Sequence, residues 1–261
     1  MTDQEIHVTV WNDARQNTPR AVLVHGTMSW GEECFAAQRP LADEFRLDLM
    51  DRRGFGASAD TECSDYDVDA DDILELMGDG VHLVGHSFGA VATMVAASRR
   101  PERVRSLTLI EPSPLRTAEE HPVVAAALER IEMSFGTERP EMSPEEYLRA
   151  STEPYGMPVP EATPKVLRGV RSAMRERPAW DARLPLEPLA AAPWPKYVIN
   201  GTWETAHPSY REFVGEALMA CGDHIADRIG AEKVRVGGTD HYPHRDAAAM
   251  VNDLLRKVWR S

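Results

Sequence analysis

A chain of 261 residues, 43% hydrophobic and 27% charged, is long enough for one large α/β domain or two small ones. Its formal net charge of −13 argues against nucleic acid and anionic membrane surfaces as partners, since both repel an acidic protein. Three cysteines, Cys34, Cys63 and Cys221, are odd in number and widely spaced without a C-x-x-C pattern, so reduced, buried thiols are expected rather than a disulfide or metal framework.

The N-terminal stretch MTDQEIHVTV lacks the basic and then apolar profile of a signal peptide, and no apolar run approaches the ~20 residues needed to span a bilayer. A soluble cytoplasmic protein is expected. IHVTVW (6–11) reads as a strand and AVLVHG (21–26) as a buried strand ending in glycine. A helical stretch over 32–44 precedes a third strand, FRLDLMD (45–51). DVDADDILELMG (67–78) has helical spacing of Val68, Ile73, Leu76 and Met77, with Gly78 as its stop. Strand VHLVG (81–85), a helix over 88–100 and strand RSLTLIE (105–111) follow. Strands separated by helices imply parallel pairing with right-handed crossovers, hence an α/β fold with a mostly parallel twisted sheet flanked by helices.

From 112 to 188 prolines are frequent, no convincing β run occurs, and short helical stretches such as VVAAALERIEM and TPKVLRGVRSAM stand between them. A helical lid inserted between two parts of one core, 1–111 and 189–261, is expected, covering the strand ends where open sheets bind ligands. Strand KYVINGT (196–202), a mostly helical 210–230, strand KVRVGG (233–238) and an amphipathic helix over 246–259 complete the chain.

The stretch Gly85-His86-Ser87-Phe88-Gly89 lies where strand becomes helix, and G-x-S-x-G at such a junction can be a nucleophile elbow. A serine hydroxyl needs a positioned base, an orienting carboxylate and donors for the oxyanion. In a parallel sheet each part should follow a strand, in the order Ser, acid, His. His241, just beyond KVRVGG, fits the base, with His244 three residues on as its competitor. Glu204, after KYVIN, is the expected acid, and Glu111, closing SLTLIE, is the alternative. Phe88 N–H supplies one oxyanion donor, and Thr27 the second, with Met28 in reserve.

The segments VLVHGT (22–27), MDRRGFGAS (50–58), LVGHSFGA (83–90), INGTWE (199–204) and GGTDHYPH (237–244) together resemble the α/β-hydrolase superfamily, in its small, lidded, serine-nucleophile form. The resemblance implies that Asp51–Ser58 is a structural turn and that Ser87 acts on acyl bonds. It departs from the family at Glu204, where aspartate is usual, and in having a single strand ahead of AVLVHG.

The expected function is hydrolysis of an ester, lactone or related acyl bond of a small hydrophobic molecule through an acyl-enzyme. Alternatives on the same residues are a C–C bond hydrolase, a lyase or cyclase, or a small-molecule receptor with little turnover. Met28, Trp30, Met133, Phe135, Tyr147, Tyr155, Trp180 and Trp203 could line an apolar pocket, with Phe88 and Met157 beside them. No metal or organic cofactor is expected, and the His241/His244 spacing alone makes no metal site. The expected partner is a small-molecule substrate, with neither nucleic acid nor membrane, and a homodimer is left open.

Overall fold

Seven strands of the described residues form one sheet in the order β1-β3-β2-β4-β5-β6-β7. They are β1 (Val8–Trp11), β2 (Arg20–Val24), β3 (Arg46–Met50), β4 (Val81–His86), β5 (Val104–Ile110), β6 (Lys196–Gly201) and β7 (Glu232–Val236). The structure, a computed structural model, describes residues 6–13, 18–135 and 141–260. Every pairing is parallel except that of β1, which runs antiparallel to β3 at the sheet edge. The expected α/β class with a mostly parallel sheet is therefore the fold of this chain.

Period-2 alternation within the strands divides their side chains between two cores. From β2, Val22 and Val24 enter one cluster, whereas Ala21 and Leu23 enter the other. Leu83 and Val84 of β4 divide likewise, as do Val198 and Ile199 of β6. Both faces are covered, which is why these strands read as continuous apolar runs. Helices Tyr66–Leu76, Phe88–Arg99 and Glu216–Ile229 cover the first face, and Ala248–Trp259 lies with the short turns around 31–43 on the second.

One expected helix does not form as a single unit. The 32–44 stretch is a four-residue helical turn, Gly31–Cys34, followed by a 3₁₀ segment, Ala36–Asp43, with Pro40 inside it. A proline there removes a backbone donor and crowds the preceding turn, so a regular α-helix cannot run through. Helix 210–230 also departs from regularity, because Arg211–Gly215 widens into a π turn before Glu216–Ile229. Of the cysteines, Cys34 and Cys221 are buried as expected, but Cys63 is exposed, in the loop ahead of helix Tyr66–Leu76.

The parallel strands end together on one edge. Gly85 of β4 pairs with Val24 of β2 and Leu109 of β5, and Ile110 pairs with Ile199 of β6. Residues following these ends therefore gather at one rim. The helical segment between β5 and β6 packs over that rim through specific polar contacts. Ser172 donates to Gly54 O at 2.6 Å, Arg168 donates to Gly56 O at 2.9 Å, and Glu176 bonds both Thr27 and Arg52.

The tightest contact in this architecture is at Gly89, in the first turn of helix Phe88–Arg99. A Cβ there would stand 2.2 Å from Val24 O and 2.5 Å from His25 O. Gly89→Ala is expected to destabilise the fold by about 2–3 kcal/mol through overpacking. Urea denaturation checks this, and an unchanged midpoint would mean that the helix can stand off β2 at little cost.

Candidate active site

Ser87 sits between the last residue of β4 and the first of its helix, with φ 54° and ψ −118°. An L-residue is strained in that region, by about 1–3 kcal/mol, and such strain is held only where its surroundings over-determine it. The restraint is visible. Ser87 N donates to Ile110 O at 2.9 Å, and the glycines on either side admit no side chain: a Cβ on Gly85 would meet Ala90 Cα at 2.5 Å. The serine side chain is only half-buried, while its neighbours His86 and Phe88 are buried. This is the geometry of a nucleophile elbow.

Phe88 begins the helix, so its N–H has no intrahelical acceptor and stands at the positive end of the helix dipole. The loop after β2 approaches the same corner. Thr27 and Met28 are half-buried there, Met28 with φ 57°. The Thr27 hydroxyl donates to Glu176, which also binds the buried Arg52 guanidinium. His25 beneath this loop is structural. Its Nε2 accepts from Arg52 N at 2.9 Å, and Nδ1 lies 2.7 Å from Gly26 O. Burial, with Arg52 adding to it, holds His25 well below the usual imidazole range.

His241 follows β7 in a loop that is laced to the exit of β6. Thr202 N donates to Val236 O at 3.1 Å, and Trp203 N to Thr239 O at 2.9 Å. The imidazole packs among His86, Tyr242 and Trp203, at ring separations of 4.8, 5.2 and 6.0 Å. Burial, and then the nearby His86, hold it well below its ordinary pKa, so the neutral imidazole is favoured. Its Nδ1 is buried without a hydrogen-bond partner.

The two candidate acids stand in different surroundings. Glu204 is exposed, and its carboxylate accepts from Gly238 N at 3.0 Å. Glu111 is fully buried immediately after β5, with φ 48°. Glu111 Oε1 accepts from Gly201 N at 2.6 Å and from Trp203 Nε1 at 3.3 Å. Its Oε2 is buried without a hydrogen-bond partner, and so is Nδ1 of His241, whose ring stands 6.0 Å from that of Trp203. Burial pushes the Glu111 carboxyl up to about 8, against the pull of the Gly201 N–H.

The expected pocket residues separate into groups. Tyr155, Tyr210 and Trp203 form a continuous aromatic run, at ring separations of 5.3 and 4.8 Å, that ends on His241. Tyr210 was not among the expected lining residues, because it falls in a segment whose sequence reads only as amphipathic helix. Trp30 is half-buried beneath the Lys165 ammonium, 4.0 Å from its ring, and Tyr147 and Trp180 are half-buried. Met133 is 87% exposed and takes no part in the run. The side chain of Phe135 lies outside the described residues. Glu176 carried no sequence signal as a site residue, since its partner Thr27 is distant in the chain, whereas His244, the competitor for the base, is fully buried with its Nε2 3.6 Å from Cys34 Sγ.

A family model described as "Alpha/beta hydrolase family" matches residues 21–254. A pimeloyl-[acyl-carrier protein] methyl ester esterase of Aeromonas salmonicida is 36% identical over 98 residues, which span 37% of this chain and 39% of that protein. The chain thus matches about two-fifths of the length of that relative. Among solved structures, an esterase from Exiguobacterium antarcticum superposes with a TM-score of 0.67 at 18% identity, covering 98% of this chain and 96% of that one. The enol-lactonase of Burkholderia xenovorans LB400 superposes with a TM-score of 0.63 at 19% identity, covering 98% and 96%. At such identities the two structures show a shared fold. The described helices include none long and apolar enough to cross a membrane.

Two stability outcomes follow from this geometry. Ser87→Gly is expected to raise the unfolding free energy by about 1 kcal/mol, because glycine adopts the same backbone without strain; a lower denaturation midpoint would mean that the serine side chain is itself a net tether. Glu111, raised by burial from 4.5 to about 8, holds its proton more tightly in the folded state. Its contribution is therefore fully present below the unfolded value and lost as pH rises through about 8. Urea unfolding of wild type should show stability declining across that window, and Glu111→Gln should flatten the decline. An unchanged slope in the variant would mean that the titration belongs to another group.

Proposed function

We propose that this chain, which belongs to the alpha/beta hydrolase family, hydrolyses an ester or lactone of a small, mainly apolar molecule through a Ser87–His241–Glu111 triad. The observation that carries the reading is the strained Ser87 at the strand-to-helix junction, with the neutral His241 and the buried Glu111 gathered at the same sheet edge. The esterase and lactonase names among the similar proteins support the acyl class.

In this mechanism His241 accepts the Ser87 proton as the hydroxyl oxygen attacks the acyl carbon. Phe88 N–H and a backbone donor of the Thr27–Met28 loop receive the oxyanion, at the positive end of the helix. His241 then protonates the leaving alkoxide. Water, deprotonated by the same imidazole, attacks the acyl-enzyme and releases the acid. The helical segment between β5 and β6 serves as the lid, with Tyr155 part of the apolar wall that continues through Tyr210 and Trp203.

Glu111 takes the orienting role in preference to Glu204 on physical grounds. An acid that fixes an imidazole tautomer must present an oxygen to buried Nδ1, and Glu111 has one that is buried and unpaired. Glu204 is solvated and engaged with Gly238 N. The longer reach of glutamate does not change this, because an exposed carboxylate interacts weakly through water.

A burst assay with p-nitrophenyl esters of increasing chain length tests the reading. Wild type should release a burst stoichiometric with enzyme, and Ser87→Ala none. Glu111→Gln should lower kcat by about 10³- to 10⁴-fold, the scale seen when a triad acid is replaced by its amide, whereas Glu204→Gln stays within about twofold. The rising limb of kcat/KM should lie near pH 8, where Glu111 ionises. Reversal of the two glutamate variants would return the acid role to Glu204. Failure of folded wild type to release nitrophenol from any ester would overturn the acyl reading.

A further inference from the structure

Beside the strand-to-helix turn at Ser87 lies a group of buried side chains that the proposed triad does not use. Cys34 ends the helical turn Gly31–Cys34, His86 is the last residue of β4, and His244 lies in the helical turn Pro243–Asp246. One potential ligand atom from each lies within 4.8 Å of the other two. Cys34 Sγ stands 3.7 Å from His86 Nδ1 and 3.6 Å from His244 Nε2. A tetrahedral zinc ion, with sulfur at ~2.3 Å and nitrogen at ~2.0–2.1 Å, holds such S and N atoms about 3.5 Å apart.

We propose that Cys34, His86 and His244 form a binding site for a thiophilic divalent cation of the zinc class. The donor set of one thiolate and two imidazoles suits zinc and disfavours magnesium or calcium, which prefer oxygen. An outer-sphere contact supports the assignment. His86 Nε2 lies 2.8 Å from the His241 carbonyl oxygen, so Nε2–H donates there and the Nδ1 lone pair faces Cys34. Metal-bound imidazoles are commonly oriented by a carbonyl on the second nitrogen in this way. His244 Nε2 also lies 3.1 Å from Cys34 O. On binding, that contact gives way and the proton moves to Nδ1, which is buried without a partner.

The proton balance is simple. The Cys34 S–H bond breaks as the S–metal bond forms, one proton passes to solvent, and no electron changes hands. A bound ion would tie the residue preceding Ser87 to the loop that carries His241, so metal would fix the distance between the two. The site itself stands independently of the hydrolase reading, since it is read from three residues outside the triad. The spacing gave no motif because Cys34 and His244 are 210 positions apart.

Cobalt(II) as a zinc surrogate tests the site directly. Titration of the full-length, reduced protein should give a thiolate-to-cobalt charge-transfer band in the near ultraviolet that saturates at one ion per chain. Equimolar zinc should displace the band, and zinc should raise the thermal midpoint. Cys34→Ser and His244→Gln should each abolish the band, while Cys63→Ser keeps it, with circular dichroism checking that each variant is folded. If one of the two ligand variants fails to fold, the other decides the point. Absence of the band in wild type at saturating cobalt, or its persistence in a folded Cys34→Ser, overturns the proposal. Ester hydrolysis by the metal-free chain is read separately, so loss of the acyl reading and loss of the metal site are distinguishable.

Discussion

The close seating of helix Phe88–Arg99 against β2 is the constraint on which the rest of the site depends. Where a side chain would stand 2.2 Å from Val24 O, only a residue without one allows the contact. That seating brings the first N–H groups of the helix to the loop after β2, and it forces the chain to reverse within a single residue. The reversal falls on Ser87, whose φ of 54° is the local cost. Strain at one residue is small beside the apolar surface that Val91, Met94 and Val95 bury on the same helix, at roughly 25 cal/mol per Å². Packing thus holds the elbow in a conformation that the serine alone would not choose.

A second constraint is polar. The Arg52 guanidinium is wholly buried, paired with Asp69 at 2.7 Å and with Glu176, bonded to Ser64 at 2.8 Å, and stacked 3.7 Å above the Phe88 ring. Two carboxylates around one cation are costly to bury, and Asp69 shows it: burial raises its carboxyl to about 6 even though Arg52 pulls the other way. Such a cluster adds little net stability over an apolar core, yet removal of one member strands a charge at about 3–5 kcal/mol. Its consequence is connectivity. Helix Tyr66–Leu76, the turn after β3, Glu176 of the helical segment between β5 and β6, and the Thr27 loop are fixed to one another, so the position of that segment and the position of the loop after β2 are not independent.

The strands were legible as short stretches rich in β-formers bounded by turns, most plainly in β2, β4 and β6 and only by alternation in β7, and the strand-to-helix turn at Ser87 because two glycines flank it. Less was legible where one short pattern fits two structures. The 32–44 stretch has helical composition, but Pro40 breaks it. Glu204 and Glu111 both follow strands, and no spacing tells which is turned inward. That difference comes from the tertiary surroundings: Gly201 N and Trp203 Nε1 converge on Glu111, while Glu204 is left at the surface with Gly238 N. Glu176 and Thr27 lie 149 positions apart, and a contact of that separation leaves no mark in a single sequence.

The burial that raises Glu111 also explains how such an acid could serve the proposed triad. A carboxylate already ionised and fully solvated gains little when the histidine becomes charged, because water screens both. In the proposed triad, with Glu111 buried around Trp203, an imidazolium formed as His241 takes the Ser87 proton would meet that carboxylate with little screening by water. The attraction would then be absent while His241 is neutral and strong once it is charged. Only an interaction that strengthens along the reaction lowers the barrier. The cost falls on the resting enzyme, which must keep a reluctant carboxyl ionised, and the Gly201 N–H at 2.6 Å offsets part of that cost. An exposed Glu204 would avoid the cost and forgo the gain.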